Sequence, residues 1–435
     1  MQKGTLSTTS LLTCLHLLVD GLCACCVFML APRVRAENSL LLFVLYNALA
    51  FLTQPLFGQY VDNVVKRSKV FGISMALLTL GGCLAAASIP YAAITSVGLG
   101  NALFHVYGGK TVAVQTGNDM RHLGIFVSSG AIGLVVGEQY ASLGGLAFIV
   151  LVMLSLAALL FLQETATEAA IPCMRQLGKL SVTPRPASAV AGMPYLLLFI
   201  LLIVFIRAFI GKLAPHAVHS SSLILFGTLT SILAFAGKSL GGFIARKFGA
   251  WNTLTVTLLL TGACLLLSPQ HLSFALALVL VINLTMPITL WLANQSLPGH
   301  EGLSFGLLAA MLPLGVGLGA TLTGYAIATP LLYVLVATML IEVLVLLALR
   351  EYRWQVLAMS VVMNILTNLP LNILVYNYPQ IHASLPMQIG LECCVVAIET
   401  MLYWMVLKDK RKAFSYAILC NATSYLLGML YSMIC

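Results

Sequence analysis

Five polar side chains in an otherwise apolar chain have the types and spacing to do chemistry. His16 and Asp20 stand four residues apart in "HLLVDG", Asn101 and His105 four apart in "LGNALFH", and Arg207 follows a long uncharged run in "IRAFIG". On a helix, residues four apart share one face. The first pair is therefore a carboxylate beside an imidazole, which can hold and release a proton because burial and the neighbouring charge act on it in opposite senses. The Arg207 guanidinium stays charged, so it needs a carboxylate, a cluster of carbonyls or an anionic ligand. Asp20 across a cavity is the expected partner, an anionic substrate group the alternative. The plain structural reading of each pair is polar glue between helices. Against it, an ionisable side chain at mid-bilayer costs about 3 kcal/mol or more, so those retained face a cavity or a partner.

The elements that position these groups follow from composition. Of 435 residues, 60% are hydrophobic and 8% charged, and the mean hydropathy is +1.01. A spanning helix needs roughly 20 apolar residues, and turn and charge clusters cut the chain to about that length fifteen times. The spans that matter here run 8–31, 91–113, 122–142, 192–213, 220–242, 302–327, 384–407 and 413–433. Backbone groups in lipid must pair internally and no barrel-type alternation is present, so the spans read as helices. The net charge of +9 forms no single patch, which argues against nucleic acid as a partner. Alternate loops hold Lys66, Arg67, Lys69, Arg121, Arg175, Lys179, Arg185, Arg246, Lys247, Arg350, Arg353, Lys408, Lys410, Arg411 and Lys412, while the opposite loops hold only Arg33, Arg35 and Lys212. That asymmetry predicts a cytoplasmic N-terminus and, with an odd number of spans, an external C-terminus, in a cell membrane read as a bacterial inner membrane. Most cysteines fall within apolar spans and none has metal-ligand spacing; no metal or cofactor is expected. The first span, too long and holding Asp20, is not expected to be a cleaved leader.

A repeat organises the spans. "GQYVDNVVKR", Gly58 to Arg67, has a counterpart in "GKSLGGFIARKFG": Gly58 to Gly242 and Asp62 to Arg246 are each 184 residues apart, as are Gly133 and Gly317. Three landmarks at one offset predict two tandem six-helix halves, 1–165 and 191–350, joined by a cytoplasmic linker at 166–190. Residues 351–435 remain as an additional module of about three helices. It holds the stripe Asn364, Asn368 and Asn372, with Glu392 and Glu399 seven apart and Asn421 and Ser424 as their partners.

The glycine, aspartate and basic pattern at Gly58, Asp62, Lys66 and Arg67 resembles the loop motif of the major facilitator superfamily. "HLLVDG", "GLGNALFH", the glycine-rich fifth span and "IRAFIG" are similar to its fosmidomycin-resistance-like branch. Arg246 replaces the aspartate in the second copy, and Val106 stands where the branch has proline after the histidine. The resemblance implies an all-α polytopic membrane protein of two six-helix bundles related by a parallel pseudo-repeat, working by alternating access. It implies proton-coupled export of a small drug-like or anionic organic compound, by a transporter and not an enzyme. The substrate or proton pathway would use His16, Asp20, Asn101, His105 and Arg207. Gly130, Gly133 and Gly137 would form a smooth packing face, with Glu138 as a gate near the outer surface. Lys110 and Lys238 read as interfacial lysines, and Pro287 and Pro313 as breaks in the helical ladder that leave carbonyls free. Uptake of an organic anion, a membrane-embedded His/Asp enzyme and a transporter-derived sensor are the competing classes.

Overall fold

The computed structural model describes residues 3–64, 67–177, 194–213, 223–268, 271–322 and 385–434, with isolated positions at 338, 341, 343, 345 and 367. The described residues are almost entirely helical, and nine segments among them are long and apolar enough to cross a membrane. The order is α1 (Lys3–Leu30), α2 (Ala36–Asn47), α3 (Gln54–Asn63), α4 (Arg67–Ala86), α5 (Pro90–Gln115), α6 (Met120–Gln139), α7 (Leu143–Leu177), α8 (Pro194–Leu213), α9 (Leu223–Phe248), α10 (Ala250–Leu267), α11 (Leu272–Asn283), α12 (Thr285–Ser296) and α13 (Glu301–Leu322). The next helices described are α14 (Leu385–Leu407) and α15 (Lys410–Ile434).

Two of the fifteen expected spans, 39–61 and 271–295, are each made of two helices. Proline removes a backbone donor and crowds the carbonyl four residues earlier. Pro55 does so to Phe51, and α2 passes into α3 through a π-helical turn at Ala48–Leu52. Pro287 does so to Asn283, where α11 ends. Pro313, by contrast, stays inside a continuous α13.

The chain forms two compact units. The first comprises 1–250 and 279–324, the second 251–278 and 325–435. Within the first, the packing repeats at nearly the offset seen in the sequence. A Cβ on Gly58 would run into the backbone of Gly302 at the start of α13, and one on Gly242 into Met120 at the start of α6. Likewise Gly133 of α6 lies against the Leu17 carbonyl of α1, and Gly315 of α13 against the Phe205 carbonyl of α8. Absent side chains let these backbones touch, which is how helices associate without a hydrophobic drive between them.

α5 is the enclosed element of this unit. It is buried almost continuously from Ala93 to Ala113, so its outer surface need not be lipid-compatible, and it can carry Asn101, His105 and Lys110. Gly108 and Gly109 leave room for the rings of Phe126 and Phe305. In the second unit, α14 and α15 form a helical hairpin around Tyr403, Leu407, Ala413, Tyr416, Ala417 and Cys420. Asp409 caps α15 by accepting from the Arg411 and Lys412 amides at 3.0 and 3.2 Å. Among the described residues Cys14, Cys23, Cys25, Cys26, Cys83, Cys264, Cys393, Cys394 and Cys420 are free thiols.

Candidate functional site

The two i,i+4 pairs meet. α1 delivers His16 and Asp20, α5 delivers Asn101 and His105, and the imidazoles face each other edge to face, with Nε2 to Nε2 at 2.8 Å and ring centroids 4.5 Å apart. The other nitrogen of each ring is committed. His16 Nδ1 lies 2.6 Å from the Phe126 carbonyl, and His105 Nδ1 lies 3.0 Å from the Asn101 carbonyl. A carbonyl oxygen only accepts, so both Nδ1 atoms donate and a neutral ring leaves Nε2 as a bare lone pair.

Asp20 lies beside both bare nitrogens, Oδ2 at 3.3 Å from His16 Nε2 and Oδ1 at 3.5 Å from His105 Nε2. Asn101 steadies the carboxylate by donating to Oδ1 at 3.3 Å while it also donates to the Tyr46 hydroxyl at 2.7 Å. All four are shielded: His16 is 3% exposed, Asp20 8%, His105 7% and Asn101 0%. Gly130 of α6 is required here, because a Cβ would collide with Asp20 Oδ2 and lie 2.8 Å from His16 Nε2. Gly137 approaches the Gly21 carbonyl in the same way, so the expected smooth face is the α1–α6 contact.

The cluster opens onto a cavity of about 160 Å³. α9 contributes Lys238, whose ammonium has no hydrogen-bond or ion-pair partner among the described residues and acts electrostatically on Asp20 and Arg207. Met286, Leu290, Phe305, Leu308 and Leu312 make the apolar wall. Pro313 withholds an amide from the Ala309 carbonyl, and Ala309 also lines the cavity.

Arg207 is not paired with Asp20. It is 7% exposed, its Nη1 is 3.4 Å from the Thr285 hydroxyl, and no carboxylate among the described residues meets it. Asp20 is turned instead towards the two histidines and Asn101. Thr285 immediately precedes Met286 of the cavity wall, and Arg207 is not among the residues that line the cavity. Glu138 is exposed at the C-terminal end of α6, away from the cluster.

The loop motif makes a second polar centre. Asp62 accepts from the Gly302 and Leu303 amides at 2.9 and 2.8 Å, which caps α13, and pairs with Lys110 Nζ at 3.0 Å. A carboxylate at a helix N-terminus meets both unsatisfied amides and the positive end of the helix dipole. Lys110 also donates to the Val61 carbonyl at 3.0 Å and is buried, so it does not snorkel. Nearby loop ends are joined by Asn118, which donates to the Trp291 carbonyl at 3.3 Å and accepts from Asn294 at 2.8 Å. Lys66 lies outside the described residues, and Arg67 begins α4.

Sequence reasoning missed the partner of Lys110 and the position of Lys238. The offset of 184 residues pairs Lys238 with Gln54, and only the structure shows that Gln54 is fully buried. In the second unit Glu399 accepts from Asn421 at 2.6 Å and from Thr367 at 2.5 Å, so Asn421 is a partner as read. The asparagine stripe at 364, 368 and 372 lies outside the described residues.

No protein-family model matches the sequence, and no curated protein does. Solved structures do match in fold. The E. coli fucose:proton symporter FucP aligns at 11% identity over 80% of this chain and 99% of that one, with a TM-score of 0.53. A bacterial homologue of the iron transporter ferroportin, in an outward-facing state, aligns at 15% identity over 79% of this chain and 99% of that one, with a TM-score of 0.52. A structure of such a homologue with soaked iron aligns at 16% identity over 78% and 98%, also at 0.52. The fold is the all-α fold of major facilitator transporters.

Proposed function

We propose that this chain is a secondary transporter that works by alternating access and is driven by protons. The cavity beside His16, Asp20, His105 and Lys238 is its transport site. One observation carries the reading: two imidazoles, each fixed by a carbonyl to present a bare Nε2, face each other at 2.8 Å beside a buried carboxylate. Two facing lone pairs repel, and a shared proton turns the contact into a hydrogen bond whose positive charge Asp20 neutralises. Such a centre takes up or releases one proton as its surroundings change. FucP, similar in fold, is itself a proton symporter.

The halves at 1–165 and 191–350 are the moving bodies, linked at 166–190, with the N-terminus in the cytoplasm. Asp62 and Lys110 hold the loop-motif end closed, and the glycine face of α6 packs α1 closely within the first half. Residues 351–435 are an additional C-terminal module. The substrate is a small organic compound, and Lys238 and Arg207, which meet no carboxylate within ion-pair distance among the described residues, favour an anionic one. We assign no catalytic role to any residue and no cofactor.

Uptake into proteoliposomes of a compound panel, with and without an imposed pH gradient, tests this. Gradient-dependent accumulation of at least one compound supports the proposal. Transport of none, by protein that remains folded, overturns it.

A further inference from the structure

The charges around the cavity bear on which way the proton and the substrate influence each other. Groups that face the His16–His105 contact can be named element by element. α1 brings His16 and Asp20, α5 brings His105 and Asn101, and α2 brings the Tyr46 hydroxyl through Asn101. α9 brings Lys238, and Arg207 of α8 contacts the Thr285 hydroxyl. The walls from α6, α12 and α13 are uncharged.

With the proton absent, Asp20 carries the one negative charge among the described residues that line the cavity, and it is the group that attracts Lys238. An anionic substrate would compete with it for the same ammonium. With the proton shared between the histidines, Asp20 is neutralised by a charge it already contacts, and Lys238 is left unopposed towards the cavity. Binding the proton therefore strengthens binding of an anion, and by reciprocity the anion strengthens binding of the proton.

We infer that the site binds a compact organic monoanion together with one proton, so that the two travel in the same direction as an electroneutral symport. The inference rests on the proton-driven reading above and adds the substrate class and the sign of coupling. It departs from the antiport expected from the fosmidomycin-resistance-like resemblance, because antiport requires proton and substrate to exclude each other. Size and lining set the class. The 160 Å³ cavity holds the volume of about five waters at ~30 Å³ each, enough for a carboxylate or sulfonate head on a short body. Lys238 meets the head, and Phe305, Leu308 and Leu312 meet the body.

The test measures binding and proton exchange together on full-length protein in weakly buffered detergent. The probes are ethanesulfonate, butanesulfonate, benzenesulfonate and benzoate, added at matched pH, with heat of binding and an indicator dye read in parallel. The expected result is binding of at least one probe with uptake approaching one proton per anion, and an affinity that weakens on the order of 10-fold as pH is raised. Lys238→Gln should lose the anion while Lys238→Arg retains it. Asp20→Asn should bind the anion with its pH dependence flattened. Proton release on binding, pH-independent binding in the wild type, or preference for cations over every anionic probe would overturn the inference. Those results leave the transporter reading standing, whereas failure of any gradient-driven transport in liposomes removes that reading itself.

Discussion

His16 Nε2 and His105 Nε2 lie 2.8 Å apart although 89 residues separate them in the chain, and each ring's other nitrogen is anchored to a backbone carbonyl. The contact joins α1 to α5, and Asp20 touches both rings, so a change in proton occupancy acts on two helices at once. Loss of either ring leaves the other Nε2 without its partner, at a cost of about 1–3 kcal/mol, while Asp20 keeps the remaining ring and Asn101.

His105→Leu is expected to abolish proton-driven transport, and its loss of stability should stay within that range. The rings of Phe104, Phe126 and Phe305 surround the pair, so a leucine has apolar neighbours to pack against. Transport assays with thermal unfolding of purified protein check this. A variant that unfolds outright, and is rescued by a second apolar change at His16, would show structural glue instead.

Asp20→Asn is expected to lose gradient-driven net transport and to keep substrate exchange, because the amide preserves shape and removes the titrating group. Counterflow and net uptake measured on the same vesicles separate the two. Full gradient-driven activity in Asp20→Asn would place the proton carrier elsewhere.

Lys110→Ala is expected to be costly, since it strips a buried carboxylate of its cation. Removing one partner of such a pair costs about 3–5 kcal/mol. Asp62 would keep the amides of Gly302 and Leu303, so the loss should fall at the lower end. A cysteine at Ser304, which is buried at the start of α13, should become more reactive to a thiol reagent in Lys110→Ala. Unchanged reactivity and unchanged stability would mean that the pair holds nothing closed.

Gly130→Ala is expected to disable transport while Gly144→Ala does not. The first methyl would occupy the space of Asp20 Oδ2, and the second meets nothing within 4 Å. Activity of the two variants, compared at equal amounts of folded protein, decides it.

What was legible in the sequence was what helix periodicity determines locally. The spacing of His16 to Asp20 and of Asn101 to His105 gave two polar faces, and the offset from Gly58 to Gly242 gave the repeat that the α3–α13 and α9–α6 contacts display. Long-range partners were not legible. Lys110 was read as an interfacial lysine because its partner Asp62 is 48 residues away across a different helix. Arg207 was matched to Asp20 by charge alone, without sight of the two imidazoles that already occupied that carboxylate. Lys238 was read by its distance from the end of its span, whereas its position depends on how α9 is rotated against α6, where Gly124 lies against the Lys238 carbonyl.

The measurement that bears most directly on the central claim is accumulation of a short-chain sulfonate in proteoliposomes with the membrane potential clamped at zero. A sulfonate stays ionised and does not cross lipid as a neutral acid, so its entry reports the protein. An inward proton gradient should drive accumulation above the external concentration, a protonophore should abolish it, and Asp20→Asn should not show it. Accumulation that follows an imposed membrane potential and ignores the pH gradient would contradict a transport cycle built on the shared proton of His16 and His105.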